Sequence, residues 1–159
     1  MKLSKDEEDL LSLLRKIANQ KVKLYKQFKE FTGIIGELAT CQQLGFTWKP
    51  SIGYDAIDQN GNQIQIKTRR LQSSSNFRGG RLGRFGRKNR TDKNEQYDFK
   101  SGILVRLDEK CEIAEAWTLD CASIQTLEAD AIGKDGRRNG LHVHKFIDDP
   151  GTKQVLPKL

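Results

Sequence analysis

Residues 54–67, YDAIDQNGNQIQIK, alternate apolar and polar side chains on both sides of an Asn-Gly pair. Alternation at period two marks a half-buried strand, and Asn-Gly reverses a chain, so the stretch predicts a β-hairpin. Two registers compete. A two-residue loop at Asn60-Gly61 sets Ala56 opposite Gln65 and splits the polar groups between faces. A three-residue loop, Gln59-Asn60-Gly61, with Gly61 in the left-handed conformation, sets Asp58 opposite Asn62 and Asp55 opposite Gln65. Only the second sorts the faces, with Tyr54, Ala56, Ile64 and Ile66 on an apolar side and Asp55, Gln65 and Lys67 together on the other. A slip of one residue would scramble that sorting, so the three-residue loop is expected. Asp58 is read as the first residue of the turn and not as a site residue.

The shared polar face holds a carboxylate, an amide and an ammonium. Hard divalent cations take oxygen ligands, commonly one or two carboxylates with water and substrate phosphate. Asp55 is the expected anchor, with the Gln65 carbonyl oxygen and the backbone carbonyl of Ile66 as neutral ligands. Lys67 would hold or deprotonate an attacking water, or stabilise charge on a phosphate. Upstream, Glu37 in GIIGELA would complete the acidic cluster, and Gly36 beside it permits a close backbone approach.

Working outward, Ser4 and Glu7 form a capping box, and Leu10, Leu14, Ile17, Leu24, Phe28 and Phe31 recur at helical spacing, predicting a long helix to about residue 31. The spacing is also close to a heptad with Lys21 in one core slot, so the stripe could pair with a partner helix; burial on the chain's own sheet is preferred. A second helix is expected over about 33–44, closed by Gly45. Further strands fit 102–107 and 111–119, Asp120 would cap a short helix through about Glu128, and a last strand is expected around 141–146. His142 and His144 would then lie on its exposed side as ordinary surface histidines; as zinc ligands they would need Cys111 and Cys121. Trp48 and Trp117 are expected in or beside the core, and the tail after Pro150 loosely ordered.

Between the hairpin and 102–107, residues 70–95 are rich in Ser, Gly, Asn and Arg with little apolar periodicity. This is read as a long basic loop, disordered without a ligand. Arg69, Arg70, Arg78, Arg81, Arg84, Arg87, Lys88 and Arg90 are its candidate contacts to nucleic acid, emerging beside Lys67. Phe77 and Phe85 either stack on bases or anchor the loop by packing.

Composition sets the limits. The 159 residues suffice for one domain, and 28 Lys and Arg against 21 Asp and Glu give a net charge of +7, which makes polyanions the first partner class to test. No stretch approaches a bilayer-crossing run, and the acidic start MKLSKDEEDLL lacks the form of an export signal, so a cytoplasmic protein is expected, with no membrane partner. Three cysteines, Cys41, Cys111 and Cys121, without CxxC spacing favour reduced thiols. The chain divides into an N-terminal helix over 1–32, a core over 33–149 that includes the basic loop 70–95, and a tail over 150–159.

Glu37 on a helix, Asp55 on one strand of a hairpin and Gln65-Ile66-Lys67 on the next resemble the PD-(D/E)XK nuclease superfamily, over about residues 33–70. The resemblance implies a restriction-endonuclease-like α/β fold, a central mixed sheet flanked by helices. It also implies Mg²⁺ or Mn²⁺ bound by Asp55, with Glu37 ligating directly or through water, and Lys67 acting near the nucleophilic water. Two departures stand out. Gly53-Tyr54 lacks the proline that often precedes the Asp, and Gln65 replaces the usual acid, removing a negative charge that would favour the metal. The expected function is metal-dependent hydrolysis of nucleic-acid phosphodiesters, with DNA favoured through the resemblance. The competing expectations are a nuclease-fold DNA-binding protein without catalysis and a helix-mediated interaction protein. A homodimer would suit double-strand cutting, although nothing in the sequence requires one.

Overall fold

The computed structural model describes residues 3–19, 29–71, 74–88 and 95–157. Its hairpin has the expected register: Ala56 pairs with Ile64 and Ile57 with Gln63. Asp58 N–H donates to the Asn62 carbonyl at 2.9 Å, and Gly61, at φ +80°, donates to the Asp58 carbonyl at 3.1 Å. The Asp58 carboxylate accepts the N–H groups of Asn60 and Asn62, each at 2.8 Å, which is the turn role assigned to it. One face assignment changes. Tyr54 packs with the cluster on the opposite side from Ala56, next to a register shift between Trp48 and Ser51 that twists this strand end.

In chain order the elements are α1 (Lys5–Asn19), α2 (Lys29–Leu44), β1 (Thr47–Ser51), β2 (Tyr54–Ile57), β3 (Gln63–Arg70), α3 (Ser74–Arg78), β4 (Arg87–Lys88), β5 (Glu95–Gln96), β6 (Ser101–Leu107), β7 (Ile113–Asp120), α4 (Cys121–Asp130), α5 (Val143–Ile147) and β8 (Lys153–Leu156). Among the described residues the main sheet runs β1-β2-β3-β6-β7-β8, while β4 and β5 form a separate ribbon. The β3–β6 pair is parallel and its neighbours are antiparallel, so the sheet is mixed. Ile103, Val105 and Leu107 of β6 face one cluster and Leu104 the other, so the central strand is covered on both sides. The protein is therefore α/β, with a mixed sheet flanked by helices.

The first layer comes from α1 and α2. Ser4 Oγ accepts the Glu7 N–H at 3.3 Å and Glu7 Oε2 accepts the Ser4 N–H at 2.7 Å, forming the capping box. The buried stripe of α1 is Leu11 and Leu14, whereas Leu10 is 36% and Leu13 55% exposed. Among the described residues the helix expected to residue 31 is divided between α1 and α2, which pack against each other, with Phe31 in α2; residues 20–28 lie outside the described residues. Both helices carry apolar residues at the same period, so periodicity alone does not separate them. Leu24, Phe28 and Lys21 of the expected stripe lie outside the described residues. Arg70 Nη1 donates to the Ala18 carbonyl of α1 at 3.0 Å, tying the end of β3 to this helix. Helix α2 starts before Gly33, buries Ile35, Leu38, Ala39 and Cys41, and ends where Gly45 takes φ +73°.

The second layer corrects three expectations. In the segment read as a disordered loop, Phe77, Leu82 and Phe85 are buried with Phe99, Trp117, Ile124 and Phe146. Phe77 stacks on Trp117 and Phe85 on Phe146, so both phenylalanines are packing anchors. Few apolar residues without a period look like a loop, yet here nearly every one is a plug. The strand expected at 141–146 is helix α5: Leu141 and Val143 alternate as in a strand, but Val143 and Phe146, three apart, are the pair buried from α5. The tail is not loose either, since β8 adds an edge strand to β7 and buries Leu156. Asp120 caps α4 as expected, accepting the Ser123 N–H at 2.9 Å.

Candidate active site

Asp55 stands where the hairpin ladder ends. Beyond the Ala56–Ile64 pair, its Oδ2 accepts the Ile66 backbone N–H at 2.7 Å and the Gln65 side-chain amide. A side chain thus takes over from the backbone ladder. This anchors the carboxylate between β2 and β3, with both bonds on Oδ2. Gln65 presents its Nε2 to Asp55, which leaves Oε1 outside that bond.

Glu37 comes from α2, brought to the sheet because Gly36 has no side chain. A Cβ on Gly36 would lie 2.0 Å from Thr68 Oγ1 on β3, so only glycine allows this approach. Glu37 Oε2 accepts the Trp48 indole N–H at 3.0 Å. Trp48 packs beside the core as expected, but its donor role was not legible, because nothing in spacing links a tryptophan on β1 to an acid on α2. Lys67 Nζ lies 6.0 Å from the centroid of the Phe85 ring.

Electrostatics tie the groups together. Burial is the main cause that pushes Glu37 up to about 7; its indole bond opposes the rise, the Asp55 charge adds to it and Lys67 lowers it. Asp55 is likewise raised by burial, against the Ile66 N–H, Lys67 and the Gln65 amide. Two carboxylates are held out of water with one nearby ammonium, an arrangement short of positive charge. A divalent cation fits that deficit. Among the described residues no three His, Cys, Asp or Glu side chains gather as a metal site. A cation here would therefore rest on Asp55 and Glu37, the neutral oxygens of Gln65 and Ile66, water and substrate oxygens.

The basic residues divide sharply. Arg70 bonds the Ala18 and Glu109 carbonyls and Asn19, which turns it inward. Arg84, about 10% exposed at its side chain, is clamped by Glu95 at 2.5 and 2.8 Å and donates to the Asn139 and Glu128 carbonyls. Neither points a free guanidinium outward. Arg87 pairs with Asp98 at 2.8 Å, and Arg78 with Asp148 at 3.4 Å. Arg81 is exposed, while Arg69 is half-buried with Nη1 enclosed and without an acceptor among the described residues. The side chain of Lys88 and all of Arg90 lie outside the described residues.

A second polar group was missed altogether. Glu128 is fully buried, and its carboxylate accepts the Phe85 and Gly86 N–H groups and the Tyr97 hydroxyl, the last at 2.7 Å. Burial and the Glu128 carboxylate keep the Tyr97 phenol protonated well above its usual range. The sequence signal was faint, one of two acids, Glu128 and Asp130, in the last turn of a short helix. His142 and His144 sit side by side, ring centroids 5.3 Å apart, and the zinc set with Cys111 and Cys121 is not assembled among the described residues.

Neither models of known protein families nor characterised proteins match the chain.

Proposed function

We propose that the protein is a Mg²⁺-dependent nuclease that hydrolyses phosphodiester bonds, with DNA as the substrate implied by its resemblance to PD-(D/E)XK enzymes. The observation that carries this reading is the Asp55 carboxylate, anchored on Oδ2 by Ile66 and Gln65 and accompanied by a half-buried Glu37 and Lys67. Asp55 and Glu37 would hold the cation, with Gln65 and the Ile66 carbonyl as neutral ligands. When bound, the cation supplies Lewis acidity at phosphate oxygen and a lowered water pKa. Lys67 orients the attacking water and offsets the charge that grows on the phosphate as the bond forms. The buried, free thiols of Cys41 and Cys111 suit the reducing cytoplasm.

Plasmid nicking in millimolar Mg²⁺ or Mn²⁺ tests this. Cleavage is expected to stop with chelator and to fall by about 100-fold or more in Asp55→Ala and in Lys67→Ala. Cleavage that survives chelation, or survives Asp55→Ala, overturns it. A second reading, a DNA-binding protein without catalysis, is favoured by Gln65 donating to Asp55, because a neutral amide satisfies the carboxylate without any metal. In that case Gln65→Glu creates metal-dependent nicking that the parent lacks.

A further inference from the structure

On β3, Gln65, Lys67 and Arg69 alternate onto one face, so Arg69 stands two residues, about 7 Å, beyond Lys67 on the side away from Asp55. Its guanidinium lies against Gly80, where an added Cβ would be 1.7 Å from Nη1. That nitrogen is enclosed and has no acceptor among the described residues. Burying a cationic donor without an acceptor is costly, and an anion beside the same guanidinium would offset the cost.

Gly80 leads into Arg81, which bridges to His142 in the backbone, and the Gly80 carbonyl accepts the Val143 N–H at 3.0 Å. This seam sets Arg81 beside His142 and His144, with Lys145 following on α5. The groups facing the histidine pair are Arg81, Lys145 and, from α4, Asp130, with the Arg78–Asp148 pair between α3 and the end of α5. Desolvation, Arg81, His144 and Lys145 hold the His142 imidazole below its usual pKa. Positive charge outweighs negative along the whole seam.

We propose that Arg69, Arg81, His142, His144 and Lys145 form a phosphate track that leads away from the active site and grips the nucleic-acid backbone beside the bond to be cut. The proposal rests on the nucleic-acid reading of the site and narrows the main contact, within the long basic segment whose Arg70 and Arg84 bond to the protein itself, to Arg81 and the seam between Gly80 and α5. Gly80 keeps Arg69 in place.

Binding of a fluorescent 20-base-pair DNA duplex to the full chain in chelator, followed by anisotropy, tests the track apart from cleavage. Arg81→Ala is expected to weaken binding about fivefold and to reduce the salt slope by about 1. Gly80→Ala, which retains every charge but displaces Arg69, is expected to weaken it similarly. Lys134→Ala, an exposed cation off the seam, should change affinity by less than about twofold. Parental affinity in Arg81→Ala and Gly80→Ala, or an equal loss in Lys134→Ala, overturns the track. Tight, track-dependent binding without nicking would sink the hydrolase and keep the track; nicking with unaffected variants would do the reverse.

Discussion

Glu37 shows how one side chain links stability to chemistry. Its carboxyl sits near pKa 7 because burial disfavours the charge, whereas unfolded it would titrate near 4.5. A raised folded pKa means that the stabilising contribution is complete below about 4.5 and fades as pH rises through 7. The parent is therefore expected to lose about 1–2 kcal/mol between pH 5 and pH 8 in chelator, solvent at the partly exposed carboxyl reducing the full linkage. Glu37→Gln, which can still accept the Trp48 indole N–H, should flatten that slope. Urea unfolding at several pH values measures both, and a parental slope in the variant would show that another group titrates. Millimolar Mg²⁺ should restore the parent at pH 8, since a ligand that binds only the folded site stabilises it.

At the scale of elements, the hairpin was legible and the packing of α1 against α2 was not. Parity around Asn60-Gly61 allowed one register that set Ala56 on the buried side with Ile64 and Ile66, so pattern and turn chemistry agreed. The β6–β7 hairpin uses the same turn, with the Asp108 carboxylate accepting the N–H groups of Lys110 at 2.8 Å and Glu112 at 3.0 Å. There Cys111 occupies the left-handed position at φ 63°, and a cysteine in that place carries no turn signal. Asp55 and Lys67 could be found because they share that hairpin; the Trp48 bond to Glu37 could not, because it joins different elements. The contact between Gly36 and Thr68 sets how closely α2 lies on β3. Gly36→Ala is expected to destabilise the fold by about 2–3 kcal/mol, and adding Thr68→Ala should recover part of that. Additive losses in thermal or urea melts would show that the two residues do not share one space.

For the whole molecule, α/β class followed from alternating strands between helical patterns, while the second layer stayed hidden. Its plugs are scattered through Ser-, Gly- and Arg-rich sequence, and long-range contacts of that kind leave no local period. The C-terminal strand was missed for a related reason: its four residues, KQVL, are too short and too polar to stand out, although Leu156 is 2% exposed. Leu156→Ala is expected to cost about 2–4 kcal/mol, as for other buried leucines. A loss below about 1 kcal/mol in equilibrium unfolding would mean that β8 is not part of the cooperative unit. The segment that carries Phe77 and Phe85 has a consequence for anyone seeking a minimal version of this domain. Its low-complexity appearance invites excision, but Glu128 fastens it from α4 through backbone bonds and the two rings upholster one side of the central strands. Cutting it out would strip the sheet to bare hydrocarbon and strand a carboxylate in the interior, so this protein cannot be shortened there.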